Sequence, residues 1–193
     1  MKKLSKINPP VLWFWVFVVA LLGLSFLFAP TAKLLNLHEI RFTTTSSSIL
    51  YFKNIRSYFY EVDADRKPLL VYRLKSRTSS TVERPLDFSI VSNPLSNEAY
   101  IYLETNSKFK QSLKPSVFMV KENSDTLLYA DVTKMNNEQH FDMAASIYLS
   151  LLSDEDIYLT TSERSRIKLF EDDHSRQNAE IVLEDYFKLV NKL

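Results

Sequence analysis

Gly23 is the only glycine among the 193 residues of this chain, and it lies inside an uncharged apolar run at residues 11–29. Everything after Pro30 must therefore turn without glycine, where average usage of roughly 7% would supply about eleven. Left-handed backbone positions then fall to Asn and Asp, the next most tolerant residues. The same absence removes chemistry. Walker A loops, Rossmann fingerprints and glycine-rich kinase loops need backbone that approaches phosphate without a Cβ. The G-x-S-x-G nucleophile elbow fails for the same reason. The chain has no cysteine either, which removes thiol nucleophiles, iron–sulfur clusters, cysteinyl zinc and c-type haem. Disulfide staples are excluded too, but a domain of this size can bury an adequate core without them.

The run at 11–29 is 19 residues long. As a helix it spans about 29 Å, close to the roughly 30 Å hydrocarbon core of a bilayer. Lys2, Lys3 and Lys6 precede it, while the near downstream flank has Lys33 and then a mixture of His38, Glu39 and Arg41. The positive-inside rule places the N-terminus in the cytoplasm and the remainder outside. Trp13 and Trp15 suit the headgroup level, Pro9 and Pro10 a helix start, and Pro30 a helix end. The rival is a cleavable secretory signal. That needs a shorter apolar core and a small-residue cleavage site, and the sequence Ala29-Pro30-Thr31-Ala32 puts proline where a small residue belongs. The expected organisation is a cytoplasmic basic tail at 1–10, a transmembrane signal anchor at 11–30, a short connector at 31–37 and one extracytoplasmic domain at 38–193. That domain is periplasmic if the source is bacterial. With no Gly/Ser/Pro-rich stalk, it should sit close to the membrane.

Hydrophobic residues make up 46% of the chain and charged residues 24%, a composition that folds. Short runs rich in Ile, Val, Leu, Tyr, Phe and Thr predict strands at 38–45, 49–54, 57–62, 69–76, 86–92, 99–105, 117–122 and 126–132. Turn clusters separate them, among them Asp63-Ala64-Asp65 with Pro68, and Ser92-Asn93-Pro94. Their close spacing favours antiparallel meanders over βαβ units. After residue 132 the period changes. Phe141, Ala144, Ala145, Tyr148, Leu151 and Leu152 predict an amphipathic helix over 137–152, with Asn136 or Asn137 as cap. A further strand is expected at 157–161, and 166–170 is open between strand and helix. Ala179, Val182, Leu183, Tyr186, Phe187 and Val190 predict a second helix over 175–192, capped by Asp173 or Ser175. The fold class is α+β: a transmembrane helix, then a β-rich domain of antiparallel-sheet or sandwich-like form, with two helices in its C-terminal half.

Candidate functional residues are few. His38, His140 and His174 are far apart, with no ligand-spaced neighbours. Asp63-Ala64-Asp65 resembles the start of a calcium loop but lacks its glycine and terminal glutamate, and reads as a hairpin turn. No catalytic residue, cofactor site or metal site is expected. Two clusters remain. Arg73, Lys75 and Arg77 alternate, so on a strand they share one face, suited to an anion or an acidic partner or to guarding a sheet edge. Tyr51, Phe52, Tyr58, Phe59 and Tyr60 crowd the early strands as a candidate apolar partner surface. Removing Lys2, Lys3 and Lys6 from 24 basic and 23 acidic residues leaves 21 against 23, too near neutral for nucleic-acid binding. The leading expectation is a non-enzymatic, single-pass accessory or assembly subunit that meets other membrane or envelope proteins. An anchored glycan-, lipid- or peptide-binding module comes next, and last a hydrolase whose site is assembled from remote residues.

Overall fold

The computed structural model describes residues 39–79, 84–105, 117–121, 124–130, 134–160 and 166–193, together with Trp15, Phe17 and Val18. Those last three are helical, and the rest of the expected anchor and its connector lies outside the described residues. Among the described residues no helix is long and apolar enough to cross a membrane. The chain divides into two units, Met1–Leu34 and Leu35–Leu193, and every element below belongs to the second.

Alternation builds the first sheet. Strands β1 (Tyr60–Asp63), β2 (Leu70–Leu74), β3 (Leu86–Asn93) and β4 (Glu98–Thr105) form an antiparallel meander in chain order. Tyr72, Ile90 and Ile101 stand opposite one another across three strands and enter the core. One residue along, Arg73, Ser89 and Tyr102 occupy the other face. The turns do without glycine as expected. Asp63 accepts a bond from the Asp65 amide at 3.0 Å, and Asn93 one from Leu95 at 3.2 Å. Among the described residues the positive-φ positions fall to Asn97, Asp154 and Asn191, at 52°, 56° and 56°. A second antiparallel sheet contains β5 (Val117–Lys121), β6 (Ser124–Ala130), β7 (Ile157–Thr160) and β8 (Arg166–Lys168), in the order β6-β5-β7-β8. Of the open segment at 166–170, Arg166–Lys168 forms a strand.

Three α-helices accompany the sheets among the described residues: α1 (Ser46–Tyr51), α2 (Asn137–Leu152) and α3 (Asp173–Leu189). Asn136 caps α2 in a reciprocal box with Gln139. Asp172, one residue before the expected candidates, caps α3 through the Ser175 amide. Phe141 of α2 meets Phe187 of α3 edge-on at 5.7 Å, and both are fully buried. One apolar cluster joins the inner sides of these helices to the first sheet and to Ile157 and Leu159 of β7.

The N-terminal part of the domain departs from expectation. Residues 38–45 were expected as a strand, yet 39–45 pair with the sheet only through a bridge from Thr43 to Glu98. The strand expected at 49–54 is helical, and so is the first half of the one expected at 57–62. Helix α1 runs into a π-helical turn at Phe52–Arg56 and a 3₁₀ turn at Ser57–Phe59 before β1 begins. The reasons are local and tertiary. Thr45 and Ser48 form a capping box, and Ser48 Oγ donates to the Leu189 carbonyl at the end of α3 at 2.7 Å.

Candidate docking surface

Residues 46–60 present two faces. Inward go Ile49, Phe52, Arg56 and Tyr60, at spacings of three and four, with Phe52 and Tyr60 each only 3% exposed. Phe52 packs on Tyr60 at 5.6 Å and edge-on to Tyr72 at 5.1 Å. Outward go Leu50, Tyr51, Ile55, Tyr58 and Phe59, with Leu50 61%, Ile55 54% and Tyr58 78% exposed. The π turn, closed by the Ser57 amide on the Phe52 carbonyl, carries both sets through the change of helix type. The result is an apolar ridge on the outside of the domain.

The ridge is held by a buried polar triad. Asp185 of α3 is 3% exposed and accepts from Arg56 Nε and from Tyr60 Oη, each at 2.7 Å. The hydrogen bond to Asp185 raises the Arg56 pKa further above its already high value. Burial and then the charge of Asp185 lift the Tyr60 hydroxyl far above the ordinary tyrosine range. Both groups therefore stay protonated and keep donating, and the carboxylate is doubly satisfied. Arg56 also lies over the Phe59 ring at 5.1 Å, and Tyr58 and Phe59 pack edge to face at 5.8 Å. Beside them opens a groove of about 400 Å³, lined by Arg56, Tyr58, Phe59, Leu74, Lys75, Ser76 and Ile181.

The two sequence clusters are partly merged and partly dispersed. Of the five aromatics, Tyr51, Tyr58 and Phe59 are on the surface, while Phe52 and Tyr60 belong to the core. The basic trio does not share one strand face, because β2 ends at Leu74 and Lys75–Ser79 is a 3₁₀ turn. Arg73 forks onto Glu104, with Nη2 to Oε1 at 2.6 Å, and reaches Asp63 at 3.5 Å. Burial pushes the Glu104 carboxyl up, but the Arg73 bonds and charge outweigh it and hold the group below its usual range. Arg77 pairs with Glu61 at 3.4 Å. Lys75 alone of the trio joins the aromatics: its Nζ donates to the Tyr58 carbonyl at 2.8 Å and lies 5.0 Å from the centre of the Tyr58 ring.

The histidines take separate paths. His38 lies outside the described residues. His140 is buried beside the Tyr102 ring, and its Nδ1 accepts the Leu103 amide at 3.3 Å. Burial lowers its pKa to about 4, so the ring is neutral at pH 7. His174 lies 3.2 Å from the Ser76 carbonyl. Asp63 and Asp65 form the expected hairpin turn, and among the described residues no group of three His, Asp or Glu side chains is placed to hold a metal. Comparison with protein-family models, with curated proteins and with solved structures finds no match. Sequence reasoning missed Arg56 and Asp185, which are separated by 129 positions. The local signal it passed over was Thr45 followed by inward residues at 49, 52 and 56, a helical spacing read as strand.

Proposed function

We propose that this chain is a membrane-anchored, non-enzymatic accessory or assembly subunit of an envelope or membrane protein complex. In this reading residues 11–30 are a single-pass signal anchor with a cytoplasmic N-terminus, and 38–193 form an extracytoplasmic α+β domain. The observation that carries it is the ridge. A helix face that meets only water is normally polar, whereas this one exposes Leu50, Tyr51, Ile55, Tyr58 and Phe59 together. The ridge is the surface on which the subunit docks, either on the complex or on the bilayer holding it. The engagement of the polar side chains supports the non-enzymatic reading, because Asp185, Arg56, Tyr60, Arg73 and Glu104 are taken up in pairs that hold elements together. The second reading is an anchored binding module for a glycan, lipid or peptide. It is favoured by the groove of about 400 Å³ beside Tyr58, within the roughly 300–1,000 Å³ of small-ligand sites.

The test is affinity purification of the tagged full-length chain from its native membrane in mild detergent, with mass spectrometry of what co-purifies. Stoichiometric membrane proteins are the expected result, lost when residues 1–32 are deleted. A clean monomer overturns the subunit reading and directs attention to ligands for the groove.

A further inference from the structure

Residues 40–60 contain Arg41, Lys53 and Arg56 but no Asp or Glu, although 23 acids in 193 residues would place two or three in a window of 21. The whole ridge falls in that window. Several acids of the neighbouring elements are paired, among them Glu39 with Arg41 at 3.6 Å. Asp185 is buried against Arg56, and Glu61 is paired with Arg77. Glu180 and Glu184 of α3 act on Tyr148 of α2, where burial first and their charge second push the hydroxyl up to about 12. Glu184 also pairs with Lys188. Lys53 is exposed and has no ion pair among the described residues, and Lys75 stands beside Tyr58 in the groove wall.

An apolar protein face can be matched by a rim of either sign. An apolar face that carries Lys53 and no acid within residues 40–60 selects a negative surface. Apolar and aromatic side chains interleaved with cations on one helical face are the composition of a segment lying in the plane of a charged bilayer. Tyrosine and phenylalanine rings fit the headgroup level, and the cations fit the phosphates. We propose that the ridge docks on an anionic phospholipid surface, with Leu50, Tyr51, Ile55, Tyr58 and Phe59 entering the headgroup region and Lys53 and Lys75 at its rim meeting the phosphates. This rests on the ridge being a docking surface and names what it docks on. The domain would then lie against the membrane in one orientation and keep its remaining faces for protein partners.

Because the chain has no cysteine, a single introduced thiol can be labelled cleanly. Full-length Tyr58→Cys and Ile55→Cys variants carrying a polarity-sensitive dye are reconstituted in nanodiscs of neutral or of mixed neutral and anionic phospholipid. Glu171→Cys, at an exposed position outside the ridge, is the control. In anionic discs the ridge labels should shift to the blue and be quenched by headgroup-level nitroxide lipid, while the control stays in water. Lys53→Ala should lower the docked-to-undocked ratio about fivefold, and high salt should lower it further. Ridge labels that remain water-exposed in both kinds of disc overturn the lipid assignment. If the same labels become protected only in complexes purified from native membrane, the ridge docks on protein, and the docking reading survives without the lipid. Exposure in both settings overturns the two together.

Discussion

The helical segment 46–59 and helix α3 solve the same packing problem with opposite outer faces. Both turn aromatics inward: Phe52 in the first, packed on Tyr60 at the start of β1, and Tyr186 with Phe187 in the second. On its outer side α3 carries Gln177, Glu184 and Lys188, as a helix facing water should. The segment 46–59 carries Leu50, Tyr51, Ile55, Tyr58 and Phe59 there. Folding constrains the inner faces of both, because a missing inner side chain leaves a cavity. Nothing in the fold calls for an apolar outer face, which gains no burial and invites association. The difference separates residues kept for the core from residues kept for a surface.

The sharpest way to break that separation is to truncate one residue from each side. Phe52→Ala removes a buried ring from between Tyr60 and Tyr72 and should cost about 3–5 kcal/mol, read from urea or thermal unfolding of the full-length chain in detergent. A cost below about 1 kcal/mol would mean that Phe52 is not core and that the two faces are not distinct. Asp185→Ala should come next, at about 3 kcal/mol, because it strips Arg56 and the buried Tyr60 hydroxyl of their shared acceptor. It also unfastens the ridge from α3. Dye labels at position 55 should then report greater mobility even where the rest of the domain stays folded.

Much of the domain was legible in the sequence, and the reasons differ by element. Strands at 86–92 and 99–105 were visible because both are short runs rich in Ile, Val, Leu, Tyr and Phe between turn clusters, and helix 137–152 because its period and its Asn136 cap agree. Segment 46–59 was not, because Ile, Tyr and Phe favour strands when judged by composition alone. Its helicity depends on contacts with α3, notably Ser48 with Leu189 and Arg56 with Asp185, at sequence separations of 141 and 129. Of the candidate site, Tyr51, Tyr58, Phe59 and Lys75 could be named from the chain. The triad that holds them could not, since Asp185 reads locally as one more polar position on an amphipathic helix.

Helix α2 offers a third inner face with a polar member, and pH tests it. His140 is expected to titrate near 6.5 when unfolded and near 4 when folded. Above pH 6.5 both states are neutral there and stability is complete. As pH falls from 6.5 toward 4 the unfolded state takes a proton that the folded state refuses, so stability declines across that window. The loss at pH 5 should be about 2 kcal/mol, seen as a lower urea midpoint, and His140→Gln should flatten that part of the profile. His140 lies in the core and not on the ridge, so a lipid-docked fraction should not follow the same curve.

The smallest expected change in stability carries the most information about function. Ile55→Ser and Tyr58→Ser, separately, should each shift unfolding by no more than about 0.5 kcal/mol, because both side chains already meet solvent in the folded domain. Yet each removes an apolar group from the ridge, so each should weaken docking while the unfolding curve barely moves. That dissociation is what a surface kept for a partner predicts. A large stability loss at either position would instead mean that the outer face is covered within the chain itself. The contrast with α3 would then dissolve, since both helices would be buried elements and neither would be left to dock.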